Sequence, residues 1–469
     1  MNQMAEKVAL KRIESLLDDN SFVQIGGLVN ARNTDFNMNA KETPGDGVIT
    51  GYGVIDGRLV YVYSQDATVL GGAIGEMHAK KITNLYDMAM KMGAPVIGFI
   101  DCAGLRLQEA TDAMNAFGGI YKCMSYASGV IPQIAVINGS CGGGLGILAE
   151  LADFTFMSES GSLFVNAPNA LDGNYKEKLN TSSAEYHSNT TGLVDIIGSE
   201  EEIVGQVRNL ITMLPSNNEE DGVYAECNDS LNRPCEGIEN CCEDMLTALR
   251  LVADNHFAYE LKKDYAKDMI TAFVKLNGET VGAVANGDSK LTTDGCIKAA
   301  EFINFCNAFN IPVLSLTNVN GYKATIDEEK TIAKAAAKLT YAFSNCTVPK
   351  VNVIVGESYG NGYTVMNSKA VGCDMVFAWS SALIGTMPAR DAVRIIYDEE
   401  LKNIADQSAY LDEKAAEYEA LQNSVISAAK RGYIDTIIEP ADTRKYVIGA
   451  FEMLYTKREE MPTKKHGTV

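Results

Sequence analysis

"GAPVIGFIDCAGLRLQ…SGVIPQIAVINGSCGGGLG", running from Gly93 to Gly146, and "NIPVLSLTNVNGYKAT…NCTVPKVNVIVGESYGNGY", running from Asn310 to Tyr363, are one stretch written twice. Pro95 and Pro312 stand 217 positions apart, as do Gly104 and Gly321, Pro132 and Pro349, Gly139 and Gly356, and Gly143 and Gly360. A constant offset without a gap marks an internal repeat, which constrains architecture before any single element does. Upstream, Gly57 in "VIDGRLVYV" answers Gly278 in "KLNGETVGA" at an offset of 221.

Each copy carries the same coarse plan. Two apolar runs meet at Asp56-Gly57 or Asn277-Gly278, dipeptides that favour a two-residue hairpin turn. A helix-period segment follows, from Gly75 to Met92 and from Gly295 to Asn310. Then come a short buried strand ("PVIGFID", "PVLSLTN"), a loop, a helix and a second strand ("PQIAVIN", "PKVNVIV"). Such alternation predicts parallel β-α-β units and an α/β fold class. A chain of 469 residues suits two domains. The boundaries read as an N-terminal domain at 1–215, a polar, acidic, cysteine-bearing surface connector at 216–245, and a C-terminal domain at 246–469. Residues 1–19 alternate charged and apolar positions and read as an amphipathic helix.

Composition narrows the class. With 40 basic against 61 acidic residues the formal charge is −21, which argues against nucleic acid as a partner. A 46% hydrophobic, 22% charged chain can bury large cores. No apolar run suits a signal peptide or a membrane span, and eleven scattered cysteines read as reduced thiols, so a cytoplasmic location is expected. Cys227, Cys235, Cys241 and Cys242 cluster without the paired spacing of a zinc site, and no metal is expected.

Each second strand runs into glycines and then a helix: Gly139–Gly146 in copy one, Gly356–Gly362 in copy two. Glycine lets a ligand approach the backbone, and free amides at a helix start can hold a developing oxyanion. Tight helix–strand packing is the other reading of the same glycines. Two equivalent turns suit a transfer between two carbonyl compounds. The chain has four histidines (His78, His187, His256, His466), no nucleophile elbow, no phosphate loop and no dinucleotide fingerprint. Cys141 reads as a packed residue.

At these turns the sequence resembles the crotonase superfamily. More closely, it resembles the carboxyltransferase (β) subunits of biotin-dependent acyl-CoA carboxylases and of sodium-pump acyl-CoA decarboxylases. The resemblance rests on "TVLGGAIGEMHAKKI", "ASGVIPQIAVINGSCGGG", "KAAEFINFCNAFNIPV", "TVPKVNVIVGESYGNGYTVMNSK" and "FAWSSALIGTMPARDAV". It implies two tandem crotonase-like (ClpP/crotonase) β-β-α superhelix domains. The first would bind the acyl-CoA, the second the carboxylated biotin of a separate carrier protein. In the family the active site forms where the first domain of one subunit faces the second domain of another, so a homo-oligomer, dimer to hexamer, is implied.

By position, the resemblance implies that the amides of Gly143 and Gly144 hold a thioester enolate, and those of Asn361 and Gly362 the ureido oxygen of biotin. Gly104, in the loop after the preceding strand, would supply a further donor. Tyr359, Gly360, Tyr363 and Thr364 would line the biotin and acyl pocket. Arg106, Lys80 and Lys81 are candidate CoA-phosphate contacts; a solvated helix face is the other reading of the lysines, and His78 reads as structural. The implied chemistry moves a carboxyl group between biotin and the α-carbon of an acyl-CoA, the cofactor supplying the base. Ala89-Met90-Lys91-Met92 spells the tetrapeptide of biotin carrier domains. It falls at the end of a helix-period segment and not on a hairpin tip, so the carrier, and a biotin carboxylase or membrane decarboxylase subunit, are expected to be partners.

Several positions depart from the family pattern. The second turn reads Tyr359-Gly-Asn-Gly-Tyr363 where Tyr-Gly-Gly-Ala-Tyr is usual. Thr364 stands where propionyl-type members carry Asp, Asn320 replaces a proline, the stretch 181–187 lacks paired glycines, and the segment after Gly321 looks shortened. These suggest a divergent subfamily with altered substrate. Three other functions stay open at this point: the decarboxylase α subunit of a sodium pump acting on a malonyl-type or glutaconyl-type thioester, a hydratase or isomerase using Glu150, and a silent scaffold subunit.

Overall fold

The structure is a computed structural model describing residues 8–34, 36, 38, 42–220, 222–462 and 467. Residues 1–7, where the expected N-terminal helix begins, and His466 lie outside the described residues. The chain divides into two compact units, Met1–Val223 and Tyr224–Val469.

The first unit is built on one eight-stranded sheet: β1 (Val23–Ile25), β2 (Val48–Ile55), β3 (Arg58–Gln65), β4 (Val96–Cys102), β5 (Gln133–Gly142), β6 (Phe154–Ser158), β7 (Ser162–Phe164) and β8 (Ile196–Gly198). Its order is β1-β2-β3-β4-β5-β6-β8, with β7 added to the end of β5. The hairpin β2–β3 is antiparallel, and pairing from β3 onward is parallel. Helices α1 (Val8–Leu16) and α5 (Glu200–Met213) cover one face; α2 (Glu76–Met92) and α3 (Ala110–Ala127) cover the other. The strands therefore bury both sides: Ile100 and Ile137 join the core with Ile82, Leu85 and Ile120, while Phe99 on the opposite face is equally buried.

The second unit repeats this plan strand for strand: β9 (Ala258–Leu261), β10 (Met269–Leu276), β11 (Glu279–Asn286), β12 (Val313–Asn320), β13 (Lys350–Tyr359), β14 (Met375–Trp379), β15 (Leu383–Gly385) and β16 (Thr436–Ile438). Its order is β9-β10-β11-β12-β13-β14-β16, with β15 on the end of β13. The expected turns close both hairpins. Asp56 and Gly57 have φ of 47° and 78°, Asn277 and Gly278 of 54° and 83°, the left-handed pair that a two-residue turn needs. The expected helices form as Glu76–Met92 and Thr293–Ala308. Ala89–Met92 is the last turn of α2, closed by Gly93 at φ 60°, so it has none of the hairpin geometry of a carrier tip.

The repeat reaches into side-chain detail. Gly139 must be glycine because a Cβ there would lie 2.0 Å from Asp101 Oδ1; at Gly356 the same atom would lie 2.6 Å from Asn318 Oδ1. Asp101 and Asn318 are themselves 217 apart. Lys81 and Lys298, also 217 apart, are both buried and both turn Nζ onto backbone carbonyls of the preceding loop: Gly45 and Val48 in one copy, Lys262 and Tyr265 in the other.

Two expectations need correction. The glycine-bearing stretch Gly139–Gly142 is strand, not turn, because β5 is paired there on both sides: Cys141 stands opposite Cys102 on β4 and Leu163 on β7. The stretch 216–245 is only partly a surface connector. Cys235, Ile238 and Cys241 are buried in the apolar core of the second unit, and Ala225 N–H donates to Gly278 O at 2.9 Å.

Candidate functional site

Parallel neighbours β4 and β5 end side by side, so the loop after β4 and the turn after β5 emerge together. The loop after β4 is held in place by backbone bonds. Ala103 N–H donates to Gly71 O, Ile74 N–H to Gly104 O and Arg106 N–H to Ile74 O, each at 2.9 Å. The second unit keeps this clip at the same offset, with Leu291 N–H on Gly321 O at 3.0 Å and Lys323 N–H on Leu291 O at 2.9 Å. Gly104 (φ 106°) and Gly321 (φ 83°) take backbone conformations that side chains disfavour. The Gly104 N–H donates to the Cys102 sulfur, 3.3 Å away, a weak acceptor that a stronger one can displace.

The turn after β5 is a single residue. Gly143 (φ 62°, ψ −123°) reverses the chain, and helix α4 (Gly144–Glu150) starts at once. The first amides of a helix lack intrahelical acceptors. Gly143 N–H is the exception expected to serve a ligand that does not: it donates to Phe164 O at 2.8 Å. Gly144, the first residue of the helix, is exposed, which makes its amide the candidate donor. In the second unit Gly360 (φ 62°) reverses the chain into the helix Gly360–Val365. Register therefore matches Gly143-Gly144 with Gly360-Asn361, one residue earlier than expected for Asn361-Gly362. Asn361 is exposed like Gly144, whereas Gly362 is buried, and a Cβ on it would meet Gly321 Cα at 3.1 Å. Gly362 thus packs the helix onto the Gly321 loop, and its counterpart Leu145 is buried in the core of the first unit.

Two of the three candidate phosphate contacts are not available. Arg106 is 1% exposed; its Nη1 binds Asp46 Oδ1 at 2.5 Å and Glu109 Oε1 at 2.8 Å, and its Nη2 the Ala73 carbonyl at 2.7 Å. Lys81 is held inside by the carbonyl cage described above. The sequence signal missed for Lys81 was its counterpart Lys298, since a phosphate contact peculiar to one half would not recur in the other. Of the three candidates Lys80 stays exposed, and its counterpart is Ile297.

The remaining groups offer little acid–base chemistry. Burial pushes the Tyr359 and Tyr363 phenols up to about 12, so both stay protonated at neutral pH. Thr364 Oγ1 turns back to Gly360 O at 3.4 Å. Cys141 is fully buried and its thiol is pushed well up by burial. Glu150 sits at the far end of α4, about 9 Å along the axis from Gly144 at the usual rise per residue.

His78 is structural. It is 0% exposed, with Nδ1 3.0 Å from Asp46 O and Nε2 3.3 Å from Gln65 Nε2. Burial, then Arg106 and Lys81, lower its pKa to about 3. An unfolded chain protonates this ring near 6.5 and the folded one does not until about 3, so stability falls as pH drops through that window. His78→Gln is expected to remove about 3 kcal/mol of the decline between pH 7 and pH 4, read from urea unfolding midpoints at both pH values.

The chain resembles known proteins along nearly its whole length. The carboxyl transferase domain model matches residues 1–469. The chain is 38% identical to methylmalonyl-CoA decarboxylase subunit alpha of Propionigenium modestum, over 98% of this chain and 92% of that one. It is 38% identical to the propionyl-CoA carboxylase beta chain of Roseobacter denitrificans, over 98% and 93%. Among solved structures, the transcarboxylase 12S hexamer with hydrolyzed methylmalonyl-coenzyme A bound superposes with a TM-score of 0.93 at 34% identity, covering 98% of this chain and 92% of that one.

Proposed function

The chain belongs to the carboxyl transferase family, and on that premise we propose that its first unit receives the acyl-CoA thioester and its second the carboxylated biotin of a separate carrier protein. It is a biotin-dependent acyl-CoA carboxyltransferase component, of carboxylase or decarboxylase type. One observation carries the assignment of halves: the same strand–glycine–helix device occurs twice, and the exposed cation Lys80 accompanies only the first copy, its counterpart being Ile297.

In the first unit the Gly144 amide, together with the Gly104 N–H, would hold the thioester oxygen as charge builds there, the Gly104 loop being already held by backbone bonds. In the second unit, the amide of Asn361 would face the urea oxygen, with Tyr359 and Tyr363 as neutral walls. An exposed first-turn amide beside a Gly321 loop fits a neutral oxygen acceptor, which is what the urea presents. Biotin, when bound, supplies the carboxyl acceptor or donor nitrogen and the base. The Asn361 side chain adds a carboxamide at the rim that its counterpart Gly144 lacks, and Thr364, one turn on, bears on the acyl group accepted. The resemblance to hexameric 12S supports a homo-oligomer, and the family supports a biotin carboxylase or a membrane decarboxylase subunit as partner. Among the described residues no helix is long and apolar enough to cross a membrane.

Purified chain incubated with free biotin and malonyl- or methylmalonyl-CoA is expected to remove the carboxyl group from the thioester in a biotin-dependent manner. No loss of carboxyl from either would overturn the reading. Lys80→Ala is expected to raise the KM for the thioester about fivefold, an exposed charge–phosphate contact being worth about 1 kcal/mol, while the KM for biotin stays fixed.

A further inference from the structure

A buried polar network lies beneath the donor loop of the first unit, and the second unit keeps its outer bonds without the imidazole or the guanidinium at its centre. Gln65, His78, Asp46, Arg106 and Glu109 are each no more than 3% exposed. Asp101 N–H, one residue before the loop, donates to Gln65 Oε1 at 3.2 Å. That bond makes the Gln65 nitrogen the donor toward His78 Nε2, and leaves Nδ1–H to donate to Asp46 O. The Asp46 carboxylate then takes His78 N–H at 2.7 Å on Oδ2 and Arg106 on Oδ1. Glu109, bound to Arg106 through Oε1, takes Glu76 N–H at 2.6 Å through Oε2. The chain of contacts thus joins the end of β3, the end of β4, the start of α2 and both flanks of the Cys102–Arg106 loop. Gly75 is glycine because a Cβ there would lie 2.4 Å from both Arg106 Nη1 and Glu109 Oε1.

The second unit has the same backbone clip around Gly321 and keeps part of the network: Glu328 Oε2 accepts Thr293 N–H at 2.8 Å, as Glu109 Oε2 accepts the N–H of Glu76, 217 positions before Thr293. At the equivalent positions His78 becomes Gly295, Arg106 becomes exposed Lys323 and Glu109 becomes Ile326, 83% exposed. Asn286, at the offset of 221 from Gln65, still accepts Asn318 N–H at 3.0 Å, but its buried Nδ2 has no partner among the described residues. The clip with these two bonds therefore suffices to shape a donor loop, without a buried imidazole or guanidinium. A network of two carboxylates, a guanidinium and an imidazole costs desolvation that shape does not require.

We infer that the Gln65–His78–Asp46–Arg106–Glu109 network is a positioning unit that holds the Gly104 donor loop rigid for the acyl-thioester side of the reaction and is indifferent to the biotin side. The inference rests on the proposed reading of the first unit as the thioester half. None of the five side chains touches substrate; they act through the loop backbone. A donor loop displaced by a few tenths of an ångström weakens the bond to the thioester oxygen in the ground state and more so as charge develops.

His78→Leu removes both ring hydrogen bonds, and His78→Gln restores an acceptor toward Gln65 and a donor toward Asp46 O. In the biotin-dependent decarboxylation assay, His78→Leu is expected to lower kcat/KM for the thioester about tenfold with a raised thioester KM and an unchanged biotin KM, and His78→Gln to recover most of that loss. Turnover is referred to the folded enzyme, so a fall in apparent kcat that disappears on that normalisation, with neither KM moved, overturns the inference. So does a parallel shift of both KM values, or a folded His78→Leu chain with parent kinetics. Where His78→Leu does not accumulate, Glu109→Gln, which keeps the Glu76 N–H bond and halves the negative charge on Arg106, carries the same comparison. A parent chain inactive toward either thioester would instead sink the proposed function, which keeps the two failures apart.

Discussion

Gly144→Val is expected to leave a folded chain that has lost carboxyl transfer by about 10²–10³-fold in kcat, the effect of removing one oxyanion donor. Position 144 is exposed, and it is the first residue of α4, where a side chain is tolerated by the helix itself. The obstruction is local. A Cβ there would lie 2.8 Å from Tyr121 Oη and 3.2 Å from a Phe117 ring carbon, while Tyr121 Oη already donates to Gly144 O at 2.6 Å. The branched side chain is therefore forced outward over its own N–H, into the space a thioester oxygen would occupy. Asn361→Gly makes the second turn resemble the first and is expected to stay within about threefold of the parent in kcat, because it deletes a rim carboxamide and keeps the amide. Turnover by Gly144→Val at parental rate, with the far-ultraviolet spectrum unchanged, would show that the enolate is held elsewhere.

The repeat makes most of this fold legible in the sequence. An offset of 217 between paired prolines and glycines located β4, β5, β12 and β13, and the Asp-Gly and Asn-Gly dipeptides located both hairpins, because those turns need left-handed residues at two consecutive positions. What misled was local reading of residues whose reasons are nonlocal. Gly139 and Gly142 look like chain breakers, yet they are strand residues kept small by Asp101 and by the Phe164 ring, whose carbon would lie 2.6 Å from a Cβ at 142. Arg106 and Lys81 look like surface cations because their partners, Asp46 and the carbonyls of Gly45 and Val48, come from a loop distant in sequence. Cys235, Ile238 and Cys241 sit in a polar stretch, and only packing against the second sheet shows them to be core. The sequence did hold a corrective signal: applying the offset to side chains pairs Lys81 with Lys298 and Gly144 with Asn361, which fixes both the buried lysines and the register of the second turn.

Arg106→Leu is expected to destabilise the chain by about 3–5 kcal/mol, because it leaves two carboxylates buried without their cation. Arg106, Asp46 and Glu109 side chains are all 0% exposed, so water cannot replace the lost charge. Burial already holds the Asp46 carboxyl above its ordinary value even with Arg106 and the His78 N–H opposing that rise. Without the guanidinium, protonation becomes the cheaper state, and the variant should regain part of its stability as pH falls toward 5, opposite in sign to the His78 contribution. The triple change Asp46→Asn, Glu109→Gln and Arg106→Met keeps acceptors for the His78 and Glu76 amides and removes every charge. It is expected to recover most of the loss, since a buried ion pair replaced whole by neutral groups is often no less stable. A surface phosphate contact would behave otherwise: Arg106→Leu would match the parent in urea unfolding while the thioester KM rose. Midpoints for the parent, the single variant and the triple, at pH 7.5 and pH 5, separate the two, and a single variant as stable as the parent at both would refute the buried-clamp account.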